Sequence, residues 1–202
     1  MAGYGLFLIL ATLTVLSPGP GVVLTISNAL RHGWRGALPG IFGIASGAFI
    51  VAGICASSLG LILAASATAF TLLKYIGALY LLYLGIKMWR TQRFVPELTV
   101  TSTRPWRRFG EALSIQLLNP KAGFFFLAVF PQFIKPLDHY YSQFFLLVLS
   151  YSVLVVLVHS GYALMANGAR GWLSSSQGAR IVGKLSGITF LGFGVLMASA
   201  SK

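Results

Sequence analysis

Two short stretches hold the residues whose types and spacing could do chemistry in an otherwise apolar chain. Ser17-Pro18-Gly19-Pro20-Gly21 interrupts a run that carries no Asp, Glu, Lys or Arg from residue 1 to residue 30. Asn119-Pro120-Lys121 interrupts another apolar run. Ser and Asn are favoured helix N-caps, and proline is favoured at the first helical position, where its missing N–H costs nothing. Ser17-Pro18 and Asn119-Pro120 therefore both read as starts of half-helices, with Pro20 in the first turn. First-turn N–H groups lack intrahelical partners, so those of Gly19, Gly21, Lys121, Ala122 and Gly123 are expected to be open. A helix N-terminus behaves like about half a positive charge. Two that converge make a site for an anion such as a carboxylate. The competing reading is two proline kinks that only shape packing.

Lys121 is the most informative charge. An ionisable residue deep in a membrane is costly and is functional by default; its alternative is to snorkel toward an interface. As a cation it would complement a carboxylate. His159, in "VLVHSGYAL", could relay protons because histidine titrates near neutrality, or could be a neutral ring hydrogen-bonded within a helix bundle. Gly36, Gly40, Gly43 and Gly47 share one helix face, and small residues let helices approach closely. That stripe predicts packing against another helix. The single Cys55 reads as a small apolar filler.

The elements that must position these residues follow from composition. The chain has 202 residues, is 56% hydrophobic and only 9% charged, with a mean hydropathy of +0.82. Soluble domains carry roughly 25% charged residues, so the expected class is an all-α polytopic membrane protein. The apolar runs are long and continuous, unlike the short alternating segments of a β-barrel. A net charge of +12 does not point to nucleic acid, because the charges cluster between apolar runs. One cysteine and three histidines, His32, His139 and His159, give no Cys-pair redox site and no metal site, and no cofactor is expected. The N-terminal run lacks a basic leader and exceeds the usual ~7–15 residue core of a signal peptide, so it reads as a first span.

A span needs about 20 apolar residues. Six are expected: 4–30, 37–64, 69–89, 109–133, 140–167 and 181–200. The uncharged run 36–73 is too long for one span and must turn back, with 66–68 the expected turn. Residues 91–108 read as a polar, basic loop at the midpoint. The loops after spans one, three and five, with the span ends that flank them, hold eleven Lys and Arg, against three on the other side. The positive-inside rule puts the eleven in the cytoplasm and both termini in the periplasm. Ser17 lies 13 residues after Tyr4, and Asn119 lies 10 after Phe109. At 1.5 Å per residue both interruptions fall roughly 15–20 Å along their spans, near the middle of a ~30 Å core.

The two halves resemble each other weakly. "LSPGPGV" (16–22) aligns with "LNPKAGF" (118–124), and "KYIGALYLLY" (74–83) with "KLSGITFLGF" (184–193). The whole chain, 1–202, then reads as one transporter domain, with repeat one at about 1–90 and repeat two at about 109–202. Three spans per repeat is an odd number, so the second must insert upside down. Interrupted spans at corresponding positions of inverted repeats point to a binding site.

"SPGPG" (17–21), "KYIGALYLLYLGIKMW" (74–89) and "NPKAGFFFLAVFPQF" (119–133), in that order, resemble the RhtB/LysE family of amino-acid exporters over nearly the whole chain. The resemblance implies a bacterial inner-membrane protein with six helices in an inverted three-plus-three plan. It would export amino acids or close derivatives of the threonine, homoserine or leucine type, driven by the proton gradient. It also implies Pro18, Gly19, Pro20, Asn119, Pro120 and Lys121 as site residues. Gly21 departs from the family, where many members carry Asp or Asn, and that removes a carboxylate which could bind an amino group or a proton. Partners are then the amino-acid substrate and the lipid bilayer; a homodimer is one assembly left open.

Other functions fit less well. A membrane thiol–disulfide carrier needs paired cysteines. An intramembrane enzyme needs a nucleophile–base set, and Ser160 beside His159 points about 100° away on a helix. An exporter of another small anion stays open. A metal exporter would want Asp, Glu, His or Cys in the spans, and the sequence offers almost none.

Overall fold

The computed structural model describes residues 3–65, 67–90, 104–134 and 140–199. These are all helical or connecting, with no strand among the described residues. The helices are α1 (Tyr4–Leu16), α2 (Pro20–Ala65), α3 (Ala67–Arg90), α4 (Pro105–Leu117), α5 (Pro120–Phe124), α6 (Tyr140–Ser174) and α7 (Ser176–Ser199). A π turn at Phe125–Val129 and a 3-10 turn at Phe130–Phe133 continue α5. Most of loop 91–108 and residue 66 of the expected turn lie outside the described residues.

The apolar runs became helices because a chain in lipid must satisfy its backbone internally. α2 reverses once, at Gly33, with φ 71° and ψ 172°. Its arms, 20–32 and 34–65, run antiparallel: Asn28 lies against Gly40, His32 against Gly36, and Ile44 against Gly21. The reversal falls between Arg31 and Arg35, where the charge pattern places a loop. Gly33 has a backbone conformation that side chains rarely adopt, while nothing lies within 4 Å of where a Cβ would stand. Gly33→Ala is therefore expected to cost about 1–3 kcal/mol through the backbone alone. Gly5→Ala, in equally open space within a helix, should not destabilise. Thermal unfolding of the two variants checks the pair.

Helix ends moved where capping won over the apolar count. α4 starts at Pro105 and not at 109, because Pro105 takes the first helical position after an extended Arg104. α6 runs to Ser174, past the expected 167, and α7 starts at Ser176, ahead of 181. After α5 the Phe130 N–H reaches the Phe125 carbonyl, five residues back. Pro131 explains the change of register: it has no N–H, and its ring would strike the carbonyl four residues earlier.

Packing joins the elements pairwise. α2 packs on α4 and α6, α1 on α6, and α3 on α7. The glycine stripe is one seam. Gly43 meets the Phe109 carbonyl and Ala112, and Gly47 meets Gln116 and Leu113, so the stripe packs on α4 as its spacing predicts. Gly85 and Gly187 bring α3 and α7 backbone to backbone. One buried core gathers Phe7, Phe125, Phe126, Phe130, Leu147 and Tyr151. Outward, large apolar side chains such as Ile9, Ile54, Leu79, Leu149, Leu157 and Val195 are exposed, which suits a surface facing lipid. Tyr140–Ala166 is long and apolar enough to cross a membrane, and Pro20–Ala56 is as apolar but is divided by its reversal into two arms. Pro105–Leu117 and Lys121–Phe133 qualify together as a pair bent by 53°.

Candidate functional site

The two interruptions meet. α1 ends at Leu16 and α2 starts at Pro20, while α4 ends at Leu117 and α5 starts at Pro120. Lys121, the second residue of α5, reaches back across the gap. Its Nζ donates to the Ser17 carbonyl at 2.8 Å, the Thr14 carbonyl at 3.0 Å and the Ser17 Oγ at 3.2 Å. It also lies 3.2 Å from where a Cβ on Gly19 would be, so a side chain there would displace the ammonium by a few tenths of an ångström.

The Asn119 expectation matches the geometry. Asn119 is extended (φ −78°, ψ 106°), its side chain accepts the Lys121 N–H at 3.1 Å, and its carbonyl accepts from the Gly123 N–H at 3.1 Å. Its amide nitrogen donates to Gln116 Oε1 at 3.2 Å. The Ser17 expectation is corrected. Ser17 caps the C-terminus of α1: its N–H donates to the Leu13 carbonyl at 3.0 Å and its Oγ to the Thr14 carbonyl at 2.8 Å. The N-cap of α2 is Gly19, whose carbonyl accepts the Val23 N–H at 3.0 Å, and Pro20, not Pro18, holds the first helical position. Two prolines two residues apart offer two possible starts. Ser17 closes α1, Lys121 holds that end, and the next helix starts at the later proline.

The set of open N–H groups shrinks accordingly. Those of Lys121 and Gly123 have partners within the cap. By position, Gly21 and Val22 in α2 and Ala122 in α5 remain without an intrahelical acceptor.

Beside the junction lies a cavity of about 20 Å³ lined by Gly21, Gln116, Asn119, Lys121, Tyr151 and His159, with Val15, Val22, Ile44 and Val155. That is room for about one water. His159 is buried, and its Nδ1 lies 2.7 Å from Thr25 Oγ1. Its Cε1 is 3.4 Å from where a Cβ on Gly21 would stand, and Ile44 Cδ1 is 3.3 Å from it. The imidazole and Ile44 thus occupy the space beside Gly21.

Of the expected site residues, Gly21, Asn119, Lys121 and His159 line the cavity, Ser17 accepts from the Lys121 ammonium, and the ammonium lies beside the open face of Gly19. Pro18 is buried in the link between the helices, Pro20 is exposed at the start of α2, and Pro120 starts α5. The sequence reading missed Thr14, Thr25, Gln116, Tyr151 and Tyr162. Tyr151 was within reach: residues 151, 155 and 159 recur at helical spacing on the face that carries His159. Tyr162 donates to the Leu16 carbonyl at 2.7 Å, a tie to α1 that no local pattern signals.

Comparison with known proteins gives this arrangement a family. A homoserine/homoserine lactone efflux protein of Salmonella typhimurium is 35% identical over 195 residues, covering 96% of this chain and 95% of that protein. An uncharacterized membrane protein of Vibrio cholerae is 36% identical over 198 residues, covering 96% and 95%. A leucine efflux protein of Salmonella typhimurium is 28% identical over 205 residues, covering 97% and 94%. No solved structure matches the chain significantly. The family model described as LysE type translocator matches residues 12–201, and the chain belongs to that family of membrane transporters.

Proposed function

We propose that the protein exports small amino acids or close derivatives, of the homoserine, threonine or leucine type, across the bacterial inner membrane by alternating access. The observation that carries this is the meeting of the two interruptions around Lys121, in a polar pocket between the halves of the chain. The efflux relatives support the substrate class. The substrate carboxylate docks at the first turn of α2 and at the Asn119-Pro120 start, with Lys121 beside it.

Six spans in an inverted three-plus-three plan are supported by the packing. α3 lies antiparallel on α7. Arm 34–65 lies on α4, and α6 lies on α1 and on both arms of α2. Exchanging the halves turns arm 34–65 on α4 into α6 on α1, and leaves α3 on α7 as it is. The basic side chains then put the loop ends in the cytoplasm and both termini in the periplasm. A pocket for about one water is too small for an amino acid, so the halves must part to load one.

Counterflow of labelled amino acids in vesicles, with and without a pH gradient, tests the reading. Accumulation of one or more of them carries it; none across the panel sinks it. His159 is the candidate for proton coupling. His159→Gln is expected to keep counterflow, which moves no net proton, and to lose gradient-driven export. An equal fall in both would remove His159 from the coupling step.

A further inference from the structure

The carbonyls that end α1 form a cation site, and its occupant belongs to the other half of the chain. The last carbonyls of a helix lack intrahelical donors, and that end carries about half a negative charge. Thr14 O, Ser17 O and Ser17 Oγ surround one nitrogen at 2.8–3.2 Å. A primary ammonium has three N–H donors and no acceptor, so three acceptors satisfy it. Neighbouring acceptors are already taken: Leu13 O holds the Ser17 N–H, and Leu16 O holds the Tyr162 hydroxyl. The cradle is thus built for one R–NH3+ group, with no carboxylate in the set.

We propose that this cradle is the subsite for the ammonium group of the transported molecule, and that Lys121 occupies it as a tethered surrogate when no substrate is bound. The inference rests on the export reading and names the half of the substrate that reading leaves without a partner. An α-amino acid carries the same R–NH3+ group as the lysine side chain. On loading, the substrate ammonium replaces Nζ on Thr14 O, Ser17 O and Ser17 Oγ. The released Lys121 ammonium turns to the substrate carboxylate, one carbon away from that nitrogen. No bond is made or broken except hydrogen bonds, and the cradle holds one positive charge throughout. Lys121 stands at the start of α5, and the cradle ends α1, so the resting contact also pins the two halves together. Loading and unlocking are then one exchange.

The test needs no transport. Lys121→Ala empties the cradle of its own cation. Purified in detergent, this variant is expected to unfold at a lower temperature than the parent and to be restabilised by millimolar ethylammonium chloride. Tetramethylammonium, which has no N–H, is expected to do nothing, and the parent protein is expected to ignore both salts. No difference between the two salts on Lys121→Ala, or an equal ethylammonium effect on the parent, overturns the proposal. If the variant is recovered only when ethylammonium is present from membrane extraction onward, that supports the cradle. Failure to recover it in either salt overturns it, because the small cation then does not fill the site. Amine binding without any amino-acid counterflow would keep the cradle and sink the export reading; counterflow without amine binding would do the reverse.

Discussion

Lys121→Met is expected to lower export at least about a hundredfold while the protein still inserts. Methionine keeps most of the length of the side chain but has no N–H. It leaves the Ser17 and Thr14 carbonyls without their cation, and it leaves a docked carboxylate without its counter-charge. A hundredfold loss corresponds to about 2.7 kcal/mol, which lies within the ~1.5–3 kcal/mol of a single hydrogen bond to a charged group. Lys121→Arg separates charge from geometry. Guanidinium keeps the charge but spreads its donors over a planar fork and cannot present three N–H groups from one nitrogen. It should therefore also export poorly, by about tenfold or more on the same scale. Initial rates of efflux from loaded vesicles, normalised to immunoblotted protein, check both variants. Wild-type rates for Lys121→Met would remove Lys121 from the mechanism.

How much of this was legible in the sequence depended on whether the cause was local. Asn119-Pro120 read correctly because cap and first-turn proline are neighbours, and their bonds close within four residues. The reversal near Arg31–Arg35 read correctly because lipid excludes charge, although only the backbone of Gly33 shows where the turn falls. Ser17 reads as an N-cap from the proline after it, but its N–H and Oγ both bond backward, to the Leu13 and Thr14 carbonyls, so it closes α1; that Lys121 then meets its carbonyl from 104 residues away has no local signal. Periodicity finds the face of α6 that carries Tyr151 and His159, but it cannot say that Thr25 lies across from that face. His159 Cε1 and Ile44 Cδ1 lie 3.4 and 3.3 Å from where a Cβ on Gly21 would stand, a closeness of α6 and the far arm of α2 that no local pattern signals.

Gly43→Val carries the second large effect, and it acts on packing before it reaches the site. A Cβ at Gly43 would collide with the Phe109 carbonyl, and it would stand 3.0 Å from Ala112 Cβ and 3.1 Å from the Leu113 nitrogen. Two of these atoms are backbone, so no rotamer change relieves the contact and α4 must shift as a body. Overpacking costs about 1–3 kcal/mol, occasionally more, and a rigid neighbour puts this case at the upper end. For a chain of this size, 3 kcal/mol lowers the unfolding midpoint by about 6–12 °C. Gly53→Val is the control, since nothing lies within 4 Å of its Cβ position and it faces outward on the same helix; it should unfold near the parent temperature. The consequence for transport follows from connectivity. α4 ends at Leu117, one residue past Gln116 and two before Asn119, so a displaced α4 carries both pocket-lining residues, and the Lys121 that follows them, away from the end of α1. Gly43→Val should then lose export at temperatures where it is still folded. A variant that melts early but transports normally below its midpoint would separate the helix seam from the site and limit the glycine stripe to packing.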